Sequence, residues 1–211
     1  KMTKHNNQTY EAVTFIDKKG FEKYLENDYV LNLVLPKDQD VMASLFGCNQ
    51  WLIDSAQKRF VFDKVYGDLL YGQDSAGRLR ILDIGGGINL AQKLISKRHD
   101  LTVVELLAHD DLNAAKEFAE SCGFDLINDD WYNLTAEMGN YDLIISTDLF
   151  PNVDQRLLEF LSQVESKSKS LRLVLTFYQN PRFYNVKRLD ADETMCMRAW
   201  DGGNVADVLL A

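Results

Sequence analysis

The sequence predicts an α/β fold, a doubly wound and mostly parallel sheet preceded by a helical N-terminal extension. From about residue 79 onward, apolar strand-like runs alternate with helical patterns. The strand runs are nearly continuous Val, Ile and Leu, the composition of parallel strands covered on both faces. A glycine cluster, "DIGGGIN", also stands where the first run gives way to a helical pattern. Right-handed crossovers make an open, doubly wound sheet the default arrangement of such units.

Residues 1–78 form the extension, which is mainly helical. Asp17 can cap a short helix in which Phe21, Tyr24 and Leu25 share a face. The stretch "YVLNLVLP", 29–36, reads as a strand or extended segment that Pro36 ends. Leu45, Leu52, Ile53, Ala56 and Phe60 then recur at helical spacing. Phe62, Val65, Tyr66, Leu69 and Leu70 continue the stripe as i, i+3, i+4, i+7 and i+8. "YGQDSAGR", 71–78, is turn chemistry and marks the boundary with a second region, 79–211.

In that region strands are expected at 80–84, 101–105, 124–128, 141–146 and 171–177. Helical periodicity fills 88–98, 109–123 and 153–166, with Gly123 as a C-terminal stop. The link 129–140 is short and holds at most one turn of helix. "TMCMRAW", 194–200, reads as one more strand. Beyond it, Val205, Val208 and Leu209 fit a helix capped by Asn204, although "WDGGN" also suits a hairpin turn. The apolar end of the chain leaves a further C-terminal hairpin open.

A chain of 211 residues suffices for one domain with a sizeable core. Its net charge of -9 argues against a nucleic-acid partner, which needs Lys and Arg in excess. Cys48, Cys122 and Cys196 are far apart and odd in number, which reads as reduced thiols in a cytoplasmic protein. No apolar run approaches the ~20 residues of a membrane helix, and the N-terminus lacks the order of a signal peptide. No cluster has metal-ligand spacing; His5 and His99 have no evident partners, and His109 reads as a helix-start polar residue.

The glycine loop is the chemical centre of the sequence. Gly85, Gly86 and Gly87 let backbone turn sharply and approach a ligand, and N–H groups at the following helix start can hold an anion. A dinucleotide fingerprint would fit Gly85 and Gly87 but requires glycine where Leu90 stands. Instead Asp83 precedes the first glycine by two positions. Glu105, at the end of the second strand, can accept two hydrogen bonds from a ribose diol, and an exposed strand-end acid is its plainer reading. Asn89 can cap the helix that follows the loop.

The pattern apolar–Asp–x–Gly–x–Gly resembles the first motif of the class I S-adenosylmethionine (SAM)-dependent methyltransferases. The resemblance spans about residues 79–180 and implies a Rossmann-like methyltransferase core. It implies that Gly85, Gly86 and Gly87 wrap the methionine end of the cofactor and that Asp83 organises the loop. Glu105 would hold the ribose. Asp130 and Trp131, with Asp129 as the register alternative, would meet the adenine; for Trp131 core packing is an equal reading. Asp148, at the end of the fourth strand, is the candidate catalytic group facing cofactor or substrate, although it or Asn152 can equally cap the next helix. Tyr178, Arg182 and Tyr184 are less well placed.

The resemblance further implies methyl transfer to an oxygen or nitrogen of a small-molecule acceptor, with no nucleic-acid or membrane partner and no metal. The oligomeric state is left open. The helical extension would then serve as lid and selector, with Gln57, Arg59, Phe60 and Tyr66 as candidates to reach the pocket. An aminopropyltransferase using decarboxylated SAM shares the fold and a "GGG" loop, but Ile145 stands where that family has an acid. A methyltransferase-like module that binds without catalysis is the non-enzyme alternative, and an NAD(P)-dependent oxidoreductase suffers from the missing third glycine.

Overall fold

Five short apolar runs form one parallel sheet at the centre of the molecule. The structure is a computed structural model, and it describes residues 18–26, 31–32, 52–71, 77–89, 91–108, 110–134, 139–188 and 193–211. Strands β1 (Arg80–Ile84), β2 (Asp100–Val104), β3 (Asp125–Ile127), β4 (Leu143–Thr147) and β5 (Leu171–Val174) lie in the order β3-β2-β1-β4-β5. All four neighbouring pairs are parallel, with Leu82 of β1 beside Thr102 of β2 and Ile144 of β4. The chain runs outward from β1 through β2 to β3, then restarts at β4 on the other side of β1. That reversal makes the carboxyl ends of β1 and β4 the switch point of a doubly wound, Rossmann-like sheet.

Successive side chains along a strand point to opposite faces, and β1 and β4 are apolar on both. Ile81, Leu143 and Ile145 join one core with Tyr24, Leu69, Ile95 and Phe118. Leu82, Ile84 and Ile144 join a second core with Trp131, Phe150, Leu157 and Phe160. Helices α1 (Lys18–Glu26), α2 (Ala56–Tyr71), α3 (Ala91–Ser96) and α4 (Leu112–Cys122) cover the first face. Helices α5 (Trp131–Leu134) and α6 (Leu157–Val164) cover the second. The N-terminal helices therefore share a core with the sheet.

Helix α2 is anchored at both ends of its buried stripe. Phe62, Val65, Tyr66, Leu69 and Leu70 are all buried, as their spacing predicts. Arg172 on β5 holds Asp68 of α2 through two bonds, at 2.7 and 2.6 Å. Arg59, a buried cation, spends its guanidinium on the carbonyls of Tyr24, Leu52 and Ile53, which ties α1 to α2.

The termini of the later helices follow local chemistry. Gly123 ends α4 in the left-handed region (φ 77°) and returns its N–H to the Ala119 carbonyl at 2.8 Å, the stop expected of glycine there. The C-terminal segment is helix α7 (Gly202–Leu210), not a turn. Its cap is Asp201 rather than Asn204. Asp201 accepts from the Asn204 N–H, and the Asn204 side chain reaches back to the Asp201 N–H, so Asn204 is the third residue of a capping box.

Other departures are local. Leu25 does not share the buried face of Tyr24; it is 59% exposed. The expected strand at 194–200 exists as β7 (Glu193–Ala199), but it pairs antiparallel with β6 (Arg182–Arg188) in a separate two-stranded sheet. β6 has no apolar run to announce it. The expectations for Asp17, Leu45, His5, His109 and Cys48 fall outside the described residues; of the expected strand or extended segment 29–36 only residues 31–32 are described, and they are helical rather than extended. Among the described residues no helix is long and apolar enough to cross a membrane.

Phe160 is fully buried; it packs edge-on against Trp131 (5.3 Å between ring centroids) and at a tilt of 39° against Phe150 (4.7 Å). Replacing Phe160 with Ala should cost about 3–5 kcal/mol of unfolding free energy. Urea denaturation followed by Trp fluorescence measures this.

Candidate functional site

A cavity of about 1030 Å³ opens at the carboxyl ends of β1, β2, β4 and β5, where the switch-point rule expects a ligand. The glycine loop and Glu105–Ala108 line one side of it, and Thr147–Leu149 with Thr176 line the other. Helix α2 contributes a wall that includes Lys58 and Phe62, and the β6–β7 ribbon contributes Met195 and Met197.

The loop leaves β1 while still attached to the sheet, because the Gly85 N–H donates to the Val104 carbonyl at 3.0 Å. Gly85 and Gly87 have φ of 69° and 70°, a region in which a side chain is strained. Gly86 is needed for space instead. A Cβ on it would lie 3.0 Å from both Asp83 Oδ1 and Thr147 Oγ1, and 3.2 Å from the Tyr66 hydroxyl. A larger residue at 86 would therefore press first on a buried polar cluster under the loop, not on a ligand above it.

Asp83 anchors that cluster. It is 1% exposed and accepts from the Tyr66 hydroxyl at 3.0 Å. Burial pushes its carboxyl up to about 7, against hydrogen bonds from Tyr66 and Gln92 and with a push from nearby Glu105. Asp83 does not line the cavity itself; it holds the loop from beneath.

Glu105 does line the cavity. Its Oε2 accepts from the Gly87 N–H at 3.0 Å and its Oε1 from the Leu106 N–H at 3.1 Å. Burial raises its carboxyl above the usual range, and the backbone N–H groups of Gly87, Leu107 and Leu106 oppose that rise. Each carboxylate oxygen has two lone pairs, so acceptor capacity remains toward the cavity.

The start of α3 corrects one expectation. Besides Gly87, the Asn89 N–H donates to Gln92 Oε1 (3.2 Å) and the Ala91 N–H to Asn89 Oδ1 (3.0 Å). Asn89 does serve the helix start, but these three N–H groups are taken by the chain's own side chains and offer no anion site.

Asp129, Asp130 and Trp131 stand beside the cavity, outside its lining. Trp131 is 4% exposed within the second core, and its indole N–H donates to Asp154 Oδ2 at 2.8 Å. Asp129 caps its own turn through the Asp130 N–H and the Asn133 amide. Asp130 is held by Arg156 at 2.9 and 3.1 Å, and the same guanidinium bonds Asp154 and lies over the Trp131 ring at 4.9 Å. Arg156 and Asp154 do line the cavity, and sequence reasoning missed both.

Asp148 lines the opposite wall and is not a helix cap; nor is Asn152. The helix begins at Leu157, and Asp154 accepts from the Arg156 N–H just before it. Asp148 instead accepts from Lys58 Nζ at 2.5 Å and from the Thr176 hydroxyl. Its φ is 58°. Among the described residues, the two non-glycine residues with positive φ are Asp148 and Leu107, and both line this cavity. Strained backbone of this kind concentrates at functional sites.

Of the other candidates, Gln57 and Tyr66 reach the cavity, whereas Arg59 and Phe60 do not line it. Tyr178, Arg182 and Tyr184 also stand off its lining; Arg182 lies over the Tyr178 ring and the Tyr184 hydroxyl meets Asn152. His99 is structural, its Nδ1 accepting from the Leu79 N–H at 3.3 Å.

No family model matches the chain, and no curated protein matches it. Solved structures do resemble it. The Burkholderia thailandensis 1,6-didemethyltoxoflavin-N1-methyltransferase, solved with its substrate and S-adenosylhomocysteine, is 14% identical over 94% of this chain and 80% of that one, with a TM-score of 0.48. A SAM-dependent methyltransferase from Clostridium acetobutylicum ATCC 824 is 15% identical over 73% and 85%, also at 0.48. The bifunctional kinase-methyltransferase WbdD is 15% identical over 75% of this chain, at 0.46. This chain spans only 43% of that protein's length. Likenesses this distant carry no functional weight, which rests on the site itself.

The buried Asp83 makes a pH prediction. Its carboxyl titrates near the ordinary 3.8 when unfolded and near 7 when folded. Between those values the native state keeps a proton that the unfolded chain has lost, so its contribution falls as pH rises through that window. Asp83→Asn keeps an acceptor for Tyr66 and has no proton to lose. The variant's stability relative to the wild type should therefore increase from about pH 4.5 to about pH 8, as read from urea midpoints. A constant difference would contradict the buried-acid assignment.

Proposed function

We propose that this protein is a SAM-dependent methyltransferase acting on an oxygen or nitrogen of a small-molecule acceptor. The observation that carries the reading is a single cavity lined by the glycine loop and Glu105 at one end and by Asp148 at the other. SAM supplies an already activated, electrophilic methyl group. The protein's task is therefore alignment and exclusion of water, and holding two reactants as a near-attack pair contributes about 7–11 kcal/mol.

The residues fit such a cofactor. Gly85–Gly87 give a close backbone surface, and the remaining lone pairs of Glu105 suit the two hydroxyls of a ribose. Asp83 keeps the loop in shape from below through Tyr66. Asp130 and Trp131 fit the adenine end as the second rank of the site, behind Arg156. On the far side Asp148 is the carboxylate that can take a proton from the acceptor. The wall formed by α2 and by Met195 and Met197 is mostly apolar, which suits a small organic acceptor in an acidic, cytoplasmic protein better than a polyanion.

The aminopropyltransferase reading has less support. Its extra acid is replaced by Ile145, which is fully buried in the first core and does not line the cavity. A module that binds SAM without turnover remains the non-enzyme reading.

Isothermal calorimetry tests the cofactor directly. SAM should bind with micromolar affinity and decarboxylated SAM more weakly, with no heat from NADH. Glu105→Ala should weaken SAM by at least tenfold. No heat and no melting shift at millimolar SAM would reject the reading. Binding without methyl transfer across a broad acceptor panel would favour the module.

A further inference from the structure

Lys58 stands where helix physics alone does not favour it. It occupies the first turn of α2, where the Ser55 hydroxyl caps its backbone N–H at 3.2 Å. A helix N-terminus carries partial positive charge and stabilises anions rather than cations, and a capping box would put Glu or Gln at this position. Its ammonium reaches across the cavity wall to Asp148, ninety positions along the sequence, at 2.5 Å. Both side chains keep access to the cavity, being 43% and 30% exposed. The Thr176 hydroxyl donates to the other oxygen of Asp148, whose backbone is held in the left-handed region at a φ of 58°.

We propose that Lys58 and Asp148 form a two-point reader for a hydroxyl group, so that the acceptor is an alcohol or phenol on an apolar skeleton rather than an amine. This rests on the methyltransferase reading and deepens it. An entering hydroxyl exchanges into the pair, donating its proton to Asp148 and accepting from Lys58. A hydroxyl oxygen has two lone pairs. One meets Lys58, and the other stays available to attack the methyl group. As the new C–O bond forms, the C–S bond breaks with its electrons remaining on sulfur, and the hydroxyl proton passes to the Asp148 carboxylate.

A neutral amine nitrogen has a single lone pair. If that pair accepts from Lys58 it cannot attack carbon, and if it attacks carbon it cannot also accept from Lys58, so an amine cannot be read at both points while it reacts. An alkyl ammonium has no lone pair and is repelled by the lysine. The apolar wall formed by Val61, Phe62, Met195 and Met197 covers the rest of the acceptor.

The test is binding to the protein saturated with S-adenosylhomocysteine, with 2-naphthol and 2-naphthylamine as a matched pair. The naphthol should bind at least tenfold more tightly than the amine. Lys58→Met should remove most of that preference while leaving S-adenosylhomocysteine affinity within twofold. Lys58→Arg, which keeps the charge, should retain part of it. Equal affinities, a preference for the amine, absence of naphthol binding at millimolar concentration, or a preference untouched by Lys58→Met would each overturn the proposal. Failure of S-adenosylhomocysteine itself to bind would instead strike the methyltransferase reading on which it depends.

Discussion

A carboxyl group lies buried in the central strand of the sheet, one residue from its carboxyl end, and the surrounding architecture accommodates it. Asp83 sits between Leu82 and Ile84, both 1% exposed, with no route to water. Burying such a group without partners is expensive, so Tyr66 must come from helix α2 to donate to it. Gly86 must lack a side chain to leave room for that contact. The loop's shape, the placement of α2 and the acid are therefore one problem with one solution. Helix α2 is built into the support of the glycine loop rather than laid over it.

The two ends of the cavity use polar groups differently. On the loop side, Glu105, Asn89 and Gln92 satisfy backbone N–H groups, which makes a rigid cradle that presents shape and leftover lone pairs. On the far side, Asp148, Lys58 and Thr176 form a more open charged group whose bonds an incoming polar group can exchange into. Arg156, elsewhere in the lining, pins Asp130 and Asp154 beside Trp131. A preformed cradle next to an exchangeable pair suits a site that must hold one ligand firmly and admit a second.

What the sequence revealed and what it hid have physical causes. β1, β2 and β4 were legible because burial on both faces demands nearly continuous Val, Ile and Leu. Asp83, Gly85–Gly87 and Glu105 were legible because each lies next to the strand end that gives it meaning. Asp148 was visible for the same reason, but its partner was not. Lys58 lies in "AQKRF", an ordinary amphipathic helix start, and only the folded chain brings it across ninety positions to the carboxylate. A cation in the first turn of a helix was the one available signal. β6 escaped because Arg182, Phe183 and Asn185 are exposed and Tyr184 is only half-buried, which leaves no hydrophobic alternation to read. Arg156 escaped because two of its neighbours, Asp130 and Trp131, were expected to contact a ligand rather than a guanidinium.

Helix α2 carries both Lys58 and Tyr66. Eight residues separate them, about 12 Å along a helix axis. The first is bonded to Asp148 at the cavity wall, and the second to the acid beneath the loop. The helix between them is capped, buried along its stripe and tied to β5 through Asp68. It therefore works as a rigid gauge, setting the spacing between the glycine loop and the Lys58–Asp148 pair. Lengthening that spacing by one helical turn would leave both half-sites intact and the pair of them out of register.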